Sequence, residues 1–306
     1  MSEPMNPVVQ RRQIATALRE ARVRDGLTIE QVAAELMCSP AKISRIETGR
    51  RPANPRDVRD LCRLYRLPED VQARLIEMAR QSRQPGWWEV HGLAPAHATF
   101  VGLEAIAATV RDYKSSVVPG LLQTAAYARA VIDAYFAPAD PVVLERLVQA
   151  RLQRQLGLFA EDADTPDIHL IMDEAALRRA VGGPDVMVEQ LDRLIDGIDE
   201  FNIAVQVIPF TAGAHAGTET TFTIFTFADQ SIPTAAFSED IFGTMQLTTE
   251  DDLAKCERIF GLVTQAALPI DESLELVRST RDQFAAAKVE ADDVVGDETR
   301  DEDGAG

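Results

Sequence analysis

The sequence is poor in the residues from which catalytic and metal sites are built. It holds three cysteines and four histidines among 306 residues. Cys38, Cys62 and Cys256 are an odd number and lie far apart. That spacing argues against a disulfide framework or a paired-cysteine metal site, and reads as small core hydrophobes in a reducing compartment. His91, His97, His169 and His215 do not cluster, and neither G-x-S-x-G nor H-E-x-x-H occurs. No run of about 18 apolar residues could span a bilayer. The N-terminal MSEPMNPVVQRRQ lacks the apolar stretch of a signal peptide. From these absences we expect a cytoplasmic protein that is not an enzyme, with no cofactor, no metal and no membrane partner.

Positive charge is scarce overall, at 31 Lys and Arg against 49 Asp and Glu, a net of −18. It is not evenly spread. Residues 1–83 carry 16 basic and 11 acidic residues, a net of +5, which leaves the remainder at −23. From Lys42 to Arg66 there are eight basic residues and three acidic ones. A basic module joined to an acidic domain is what this asymmetry describes. A hydrophobic content of 46% supports well-formed cores in both.

The basic region surrounds GLTIEQVAAELMCSPAKISRIETGRR, residues 26–51. Thr28 with Gln31 three residues on is a capping box that starts one short helix. Ser39 followed by Pro40 starts a second. Val32, Leu36, Cys38, Ile43 and Ile46 are spaced so that two helices crossing steeply share one core, with Ala33 small where they meet. Ser39, Ala41, Lys42, Ser44 and Arg45 are left on the outer side, followed by Arg50 and Arg51. A short helix with a polar, basic outer face suits the major groove of double-stranded DNA. Lys42 and Arg45 are expected at base edges, Ala41 against a thymine methyl, and Arg50 and Arg51 on phosphates. Ile43–Arg51 (ISRIETGRR) resembles the corresponding run of Xre/Cro-type helix-turn-helix proteins, over roughly residues 10–70. Met37 stands where such motifs often carry glycine for a left-handed turn residue.

Around this pair the pattern predicts helices over 9–24, 56–66 and 71–80, which makes five helices in a DNA-binding domain at 9–83. The connector 84–99 contains Trp87 and Trp88, two rings suited to packing. Beyond it, helices are expected at 100–114, 141–159, 173–181, 184–202, 250–266 and 271–287, and 118–136 reads as a loop turning into a helix begun by Thr124. Strands are expected at 167–172, 203–208 and 220–227, with 235–239 pairing with the last. The fold class is thus an N-terminal all-α helix-turn-helix domain followed by an α+β domain over 100–287, a small sheet covered by helices. The tail 288–306, with eight acidic and two basic residues, is expected to be disordered.

VPGLLQTAAYARAV (118–131), MDEAALRRAVGGPDVMVEQL (172–191) and VIPFTAGAHAG (207–217) resemble the C-terminal domain of actinobacterial WhiJ-like regulators. The resemblance implies a transcriptional regulator, with a small BldB-like protein as partner in an antitoxin-like arrangement. It supplies no chemistry for the domain. His169, Asp173, Glu174, Arg178, Arg179 and His215 are the polar residues there that could serve a site. Asp173 and Glu174 are better read as a helix cap and a partner of the helix dipole. The functional expectation is a sequence-specific, homodimeric DNA-binding regulator whose second domain receives a ligand or a small protein. The alternatives are an antitoxin that regulates its own operon, and a ligand-binding or enzymatic domain tethered to DNA.

Overall fold

Six helices succeed one another at the N-terminus of the computed structural model: α1 (Pro7–Arg24), α2 (Ile29–Glu35), α3 (Pro40–Glu47), α4 (Pro55–Leu64), α5 (Glu69–Gln81) and α6 (Pro95–Glu104). The residues described are 7–49, 52–83, 91–136, 140–160, 165–201, 203–229, 232–241 and 243–302, with the backbone alone at 199 and 289–302. The chain divides into two units. The first is residues 1–107 with 227–234, and the second is 108–226 with 235–306. α6 therefore belongs with the helices before it, and it packs on α1. Trp87 and Trp88 lie outside the described residues.

The first unit closes on Ile14, Leu18, Val32, Ala33, Ile43, Ile46, Val58, Leu61, Tyr65 and Leu75, all buried. Leu36 and Cys38 pack against this cluster partly exposed. The apolar set expected for the two central helices is thus in the core. Cys62 is buried there too, and burial pushes its thiol up to about 11. It is an inert hydrophobe at neutral pH.

The second unit is built on a six-stranded sheet of order β3-β2-β1-β4-β5-β6. Its strands are β1 (Thr109–Lys114), β2 (Asp167–Asp173), β3 (Ala204–Ile208), β4 (Phe222–Thr226), β5 (Ala235–Asp240) and β6 (Gly243–Leu247). β1, β2 and β3 run parallel, with Val110 opposite Ile168 and Leu170 opposite Val205. β4 reverses against β1, with Asp112 opposite Thr223, and β5 and β6 continue antiparallel. The helices are α7 (Ala125–Phe136), α8 (Pro141–Leu158), α9 (Glu174–Arg178), α10 (Pro184–Phe201), α11 (Glu250–Ala266) and α12 (Ile270–Glu302). Helical crossovers let the parallel strands lie side by side. The architecture is α+β, as the sequence implies.

One face of the sheet presents Tyr113, Ile171, Ile208, Phe222, Ile224 and Ala236 to Cys256, Phe260 and Val263 of α11. By the two-residue period, Val110, Leu170, Met172, Val207, Phe225 and Phe237 face the other way, and they too are buried. The outer edge of β3 is closed by the start of α12. Leu268 N–H donates to Val207 O (2.9 Å), and Val207 N–H donates to Ser273 Oγ (3.0 Å). An edge covered in this way cannot recruit a stray strand.

Three expectations are corrected. The helix read over 100–114 is α6 followed by the central strand β1, because Asp112 and Lys114 are buried inside the sheet and break the apolar alternation. β6, the five residues GTMQL, is too short for its alternation to be read alone. The tail expected to be disordered from 288 continues α12 as far as Glu302, extending the helix-favouring AAAK run at 285–288. Residues 303–306 lie outside the described residues.

Candidate nucleic-acid interface

The interface begins with two caps. Thr28 N–H donates to Gln31 Oε1 (2.8 Å), and Gln31 N–H donates back to Thr28 Oγ1 (3.2 Å). This reciprocal pair fixes the start of α2. Ser39 Oγ accepts from Lys42 N–H at 3.3 Å and caps α3, with Pro40 in its first turn.

The turn between the helices requires a left-handed residue. Cys38 N–H donates to Ala33 O (2.8 Å) and Met37 N–H to Ala34 O (3.2 Å), the paired bonds that close a helix on a reversed residue. Met37 takes that position at φ +49, its side chain 93% exposed. A methionine there carries strain that glycine does not. Met37→Gly is expected to stabilise the first unit by about 1 kcal/mol. Urea unfolding of the full chain checks this, and a loss of stability would show that the side chain contributes more than its exposure suggests.

α3 turns Ile43 and Ile46 into the core and leaves Ser39, Ala41 and Arg45 exposed, with Lys42 and Ser44 half-buried. Arg45 Nε donates to Ala41 O (3.1 Å), and its terminal nitrogens have no partner among the described residues. Lys42 is differently placed. Its Nζ lies 2.7 Å from Asp57 Oδ1 on α4, so its charge is already partly answered. Arg50 and Arg51 lie outside the described residues.

An ion pair that the sequence did not reveal fixes the angle of α3. Arg22 of α1 forks onto Glu47 at the end of α3, with Nε to Oε1 at 2.8 Å and Nη2 to Oε2 at 2.9 Å. Its Nη1 donates to Leu27 O at 2.8 Å, just before α2. One guanidinium therefore ties together three of the helical segments around the interface.

The polar candidates of the second unit have structural partners. Asp173 ends β2 and caps α9, its Oδ1 accepting from Ala175 N–H at 2.8 Å. Its Oδ2 lies 3.1 Å from His215 Nε2, while His215 Nδ1 accepts from Gly217 N–H at 3.2 Å. Because Nδ1 accepts, the proton of the neutral ring sits on Nε2 and is donated to Asp173. Both ring nitrogens are thus engaged, which is poor preparation for a general base. Glu174 accepts from Arg178 Nε (3.0 Å) and from Phe210 N–H (2.8 Å). His169 Nε2 meets Gln206 Oε1 at 2.8 Å. Arg179 is exposed at the end of α9. The structure brings Asp173, Glu174 and His215 together at the carboxyl ends of β2 and β3, but as caps and braces.

Beside them, the Tyr113 hydroxyl is buried with no hydrogen-bond partner among the described residues. Burial, then the charge of Asp173, push its pKa well up, so it stays protonated. A Cβ on Gly217 would stand 2.4 Å from Tyr113 Cζ, so only glycine fits over that ring.

No group of three or more His, Cys, Asp and Glu side chains placed to hold a metal is found among the described residues. No described helix is long and apolar enough to cross a membrane.

Comparison with known families finds two domain models, one after the other along the chain. Residues 13–75 match a helix-turn-helix domain, and residues 97–279 match a domain of unknown function, DUF5753. Neither a curated protein nor a solved structure matches the chain. A helix-turn-helix domain marks a DNA-binding regulator. The second match covers more than half of the chain, which therefore belongs to the DUF5753 family and carries a helix-turn-helix domain before the family domain.

Proposed function

We propose that this chain is a sequence-specific transcriptional regulator of the Xre type, reading double-stranded DNA with the outer side of α3. The observation that carries the reading is the exposed Arg45 on a capped, core-anchored eight-residue helix. Arg45 reads a base edge, Ala41 offers a methyl-sized contact, and Ser39 and Ser44 lie along the groove wall. Arg50 and Arg51, as the sequence suggests, hold phosphates. Lys42 must exchange Asp57 for DNA before it contributes.

Binding sites selected from random duplexes give the cognate sequence on which variants are compared. Arg45→Ala should cost about 1–3 kcal/mol there and relax preference at one base pair. Asp57→Asn should act in the opposite direction, releasing Lys42 and tightening binding to cognate and random DNA alike. That gain should shrink as salt rises. A uniform loss on all sequences for Arg45→Ala, or no gain for Asp57→Asn at low salt, would refute these roles.

The protein binds as a homodimer, because one helix of this length reads too few base pairs for useful specificity. Two copies on an inverted repeat would place their α3 helices about 34 Å apart, one turn of the duplex. Light scattering of the complex checks the stoichiometry, and one protomer on a non-palindromic site would rule the dimer out. The C-terminal domain, by its resemblance to WhiJ-like regulators, serves as the receiver of a ligand or a small BldB-like protein.

A further inference from the structure

The first unit is not built from N-terminal residues alone. Residues 227–234 belong to it, although β4 and β5 on either side of them belong to the second unit. Within the first unit this loop meets α1, and its Ile232 is buried at 6% exposure. Arg12 Nη1 donates to Pro233 O at 2.8 Å, and its guanidinium carbon lies 6.0 Å from the centre of the Phe227 ring. Gln13 Nε2 donates to Asp229 Oδ2 at 2.8 Å. Two successive side chains of α1 thus hold the loop at Phe227, Asp229 and Pro233.

The same stretch of α1 is the seat for the end of α3. Gly49 follows α3 at φ +63, and a Cβ on it would stand 3.2 Å from Arg11 O and 3.5 Å from Ala15 Cβ. A bare, left-handed glycine lets the chain rest on the α1 backbone at a separation that a side chain would widen. Arg11 and Ala15 are four residues apart, so they share one side of α1. At about 100° per residue, Gln13 projects from the opposite side. Residues 11–15 span only about 6 Å of helix. α1 is therefore gripped there between the loop and the end of α3.

Two contacts hold α3 on α1. Arg22 anchors Glu47, and Gly49 rests at Arg11 and Ala15. The first is an ion pair between two N-terminal helices. The second depends on where the early turns of α1 stand, which is what the loop fixes. Arg45 lies about one turn before Gly49 on the same short helix, so a tilt at this seat displaces its side chain. Hydrogen bonds to a base edge tolerate little displacement before their geometry fails.

Resting on the reading of DNA by α3, we propose that residues 227–234 form a clasp that positions α3 through α1, with Arg12 and Gln13 as its positioning residues. The clasp is encoded far downstream of the helix-turn-helix, between two strands of the sheet. The specificity of the DNA-binding unit is therefore written partly in the sequence of the second domain.

The test replaces residues 228–233 of the full chain by an equal number of Gly and Ser residues. Amide hydrogen exchange is read over α3, with α4 and α5 as the internal reference. The α3 amides should exchange about tenfold faster while those of α4 and α5 stay as in wild type. The preference for the selected cognate duplex over random DNA should fall about tenfold as well. Gln13→Ala leaves every charge in place and removes one hydrogen bond, and should move both readouts the same way by about threefold. Asp229→Asn keeps an oxygen that can accept from Gln13, and should retain the wild-type values. Wild-type exchange of α3 in the loop replacement and in Gln13→Ala would overturn the proposal, since the loop would then not bear on α3. Faster exchange that extends to α4 and α5 would overturn it too, as a general loss of stability. So would faster α3 exchange with an unchanged DNA preference. If the loop replacement does not fold, the same criteria applied to Gln13→Ala decide. A wild type that prefers no selected duplex would refute the DNA reading instead, and the exchange of α3 would still decide whether the clasp holds it.

Discussion

Arg22→Ala should cost the first unit about 3 kcal/mol of stability and abolish specific DNA binding at temperatures where the wild type is folded. The side chains of Arg22 and Glu47 are 13% and 4% exposed, and their fork is bidentate. Removing the arginine leaves a carboxylate in a site with little water and no cation, a far larger penalty than loss of a surface pair. The Leu27 carbonyl loses its donor at the same time. α3 has eight residues, too few to persist without tertiary contacts. Arg22→Lys keeps the charge but not the planar fork, and should fall between the two. Arg22→Met combined with Glu47→Leu removes both charges, and should recover most of the lost stability. Urea unfolding of the four proteins measures the series. A loss below about 0.5 kcal/mol for Arg22→Ala would mean that the pair behaves as a surface contact and does not anchor α3.

The helix-turn-helix could be read from the sequence because its determinants are local. Thr28 with Gln31, and Ser39 with the Lys42 N–H, each lie within one helical turn of the group they satisfy. Met37 was visible as the residue forced into the left-handed position, and it is there at φ +49. What the sequence hid is non-local. Arg22 finds Glu47 across 25 positions, and Lys42 finds Asp57 across 15. No periodicity signals either, so the ion pair fixing α3 went unseen and Lys42 looked free for bases. In the second unit the miss was larger. The central strand TVRDYK reads as the end of a helix until Asp112 is given Thr223, 111 residues on, and Lys114 is given Glu239, 125 residues on.

Lys114→Met should cost the second unit about 3 kcal/mol, and the size of that loss should depend on pH in a stated direction. Lys114 closes the central strand at 8% exposure, between Asp112 at 3.5 Å and Glu239 at 2.5 Å. Methionine has nearly the same length and fills the site, so cavity formation contributes little to the loss. The dominant effect is Asp112, 4% exposed and left with the Thr223 hydroxyl at 2.7 Å as its donor. Asp112→Asn added to Lys114→Met should therefore restore most of the stability, since Glu239 is 36% exposed and can be hydrated. Burial alone would lower the lysine pKa. The charges of Asp112 and Glu239 and the Glu239 hydrogen bond outweigh it and hold it above its ordinary value. A raised folded-state pKa means that the contribution is complete below the unfolded lysine value of about 10.4 and declines as pH climbs through the higher folded one. The stability gap between wild type and Lys114→Met should thus stay constant from neutrality to about pH 10 and narrow above it. Urea midpoints taken across that range measure the gap. A gap that narrows as pH falls from 9 to 6 would show that another group, not the lysine, carries the coupling.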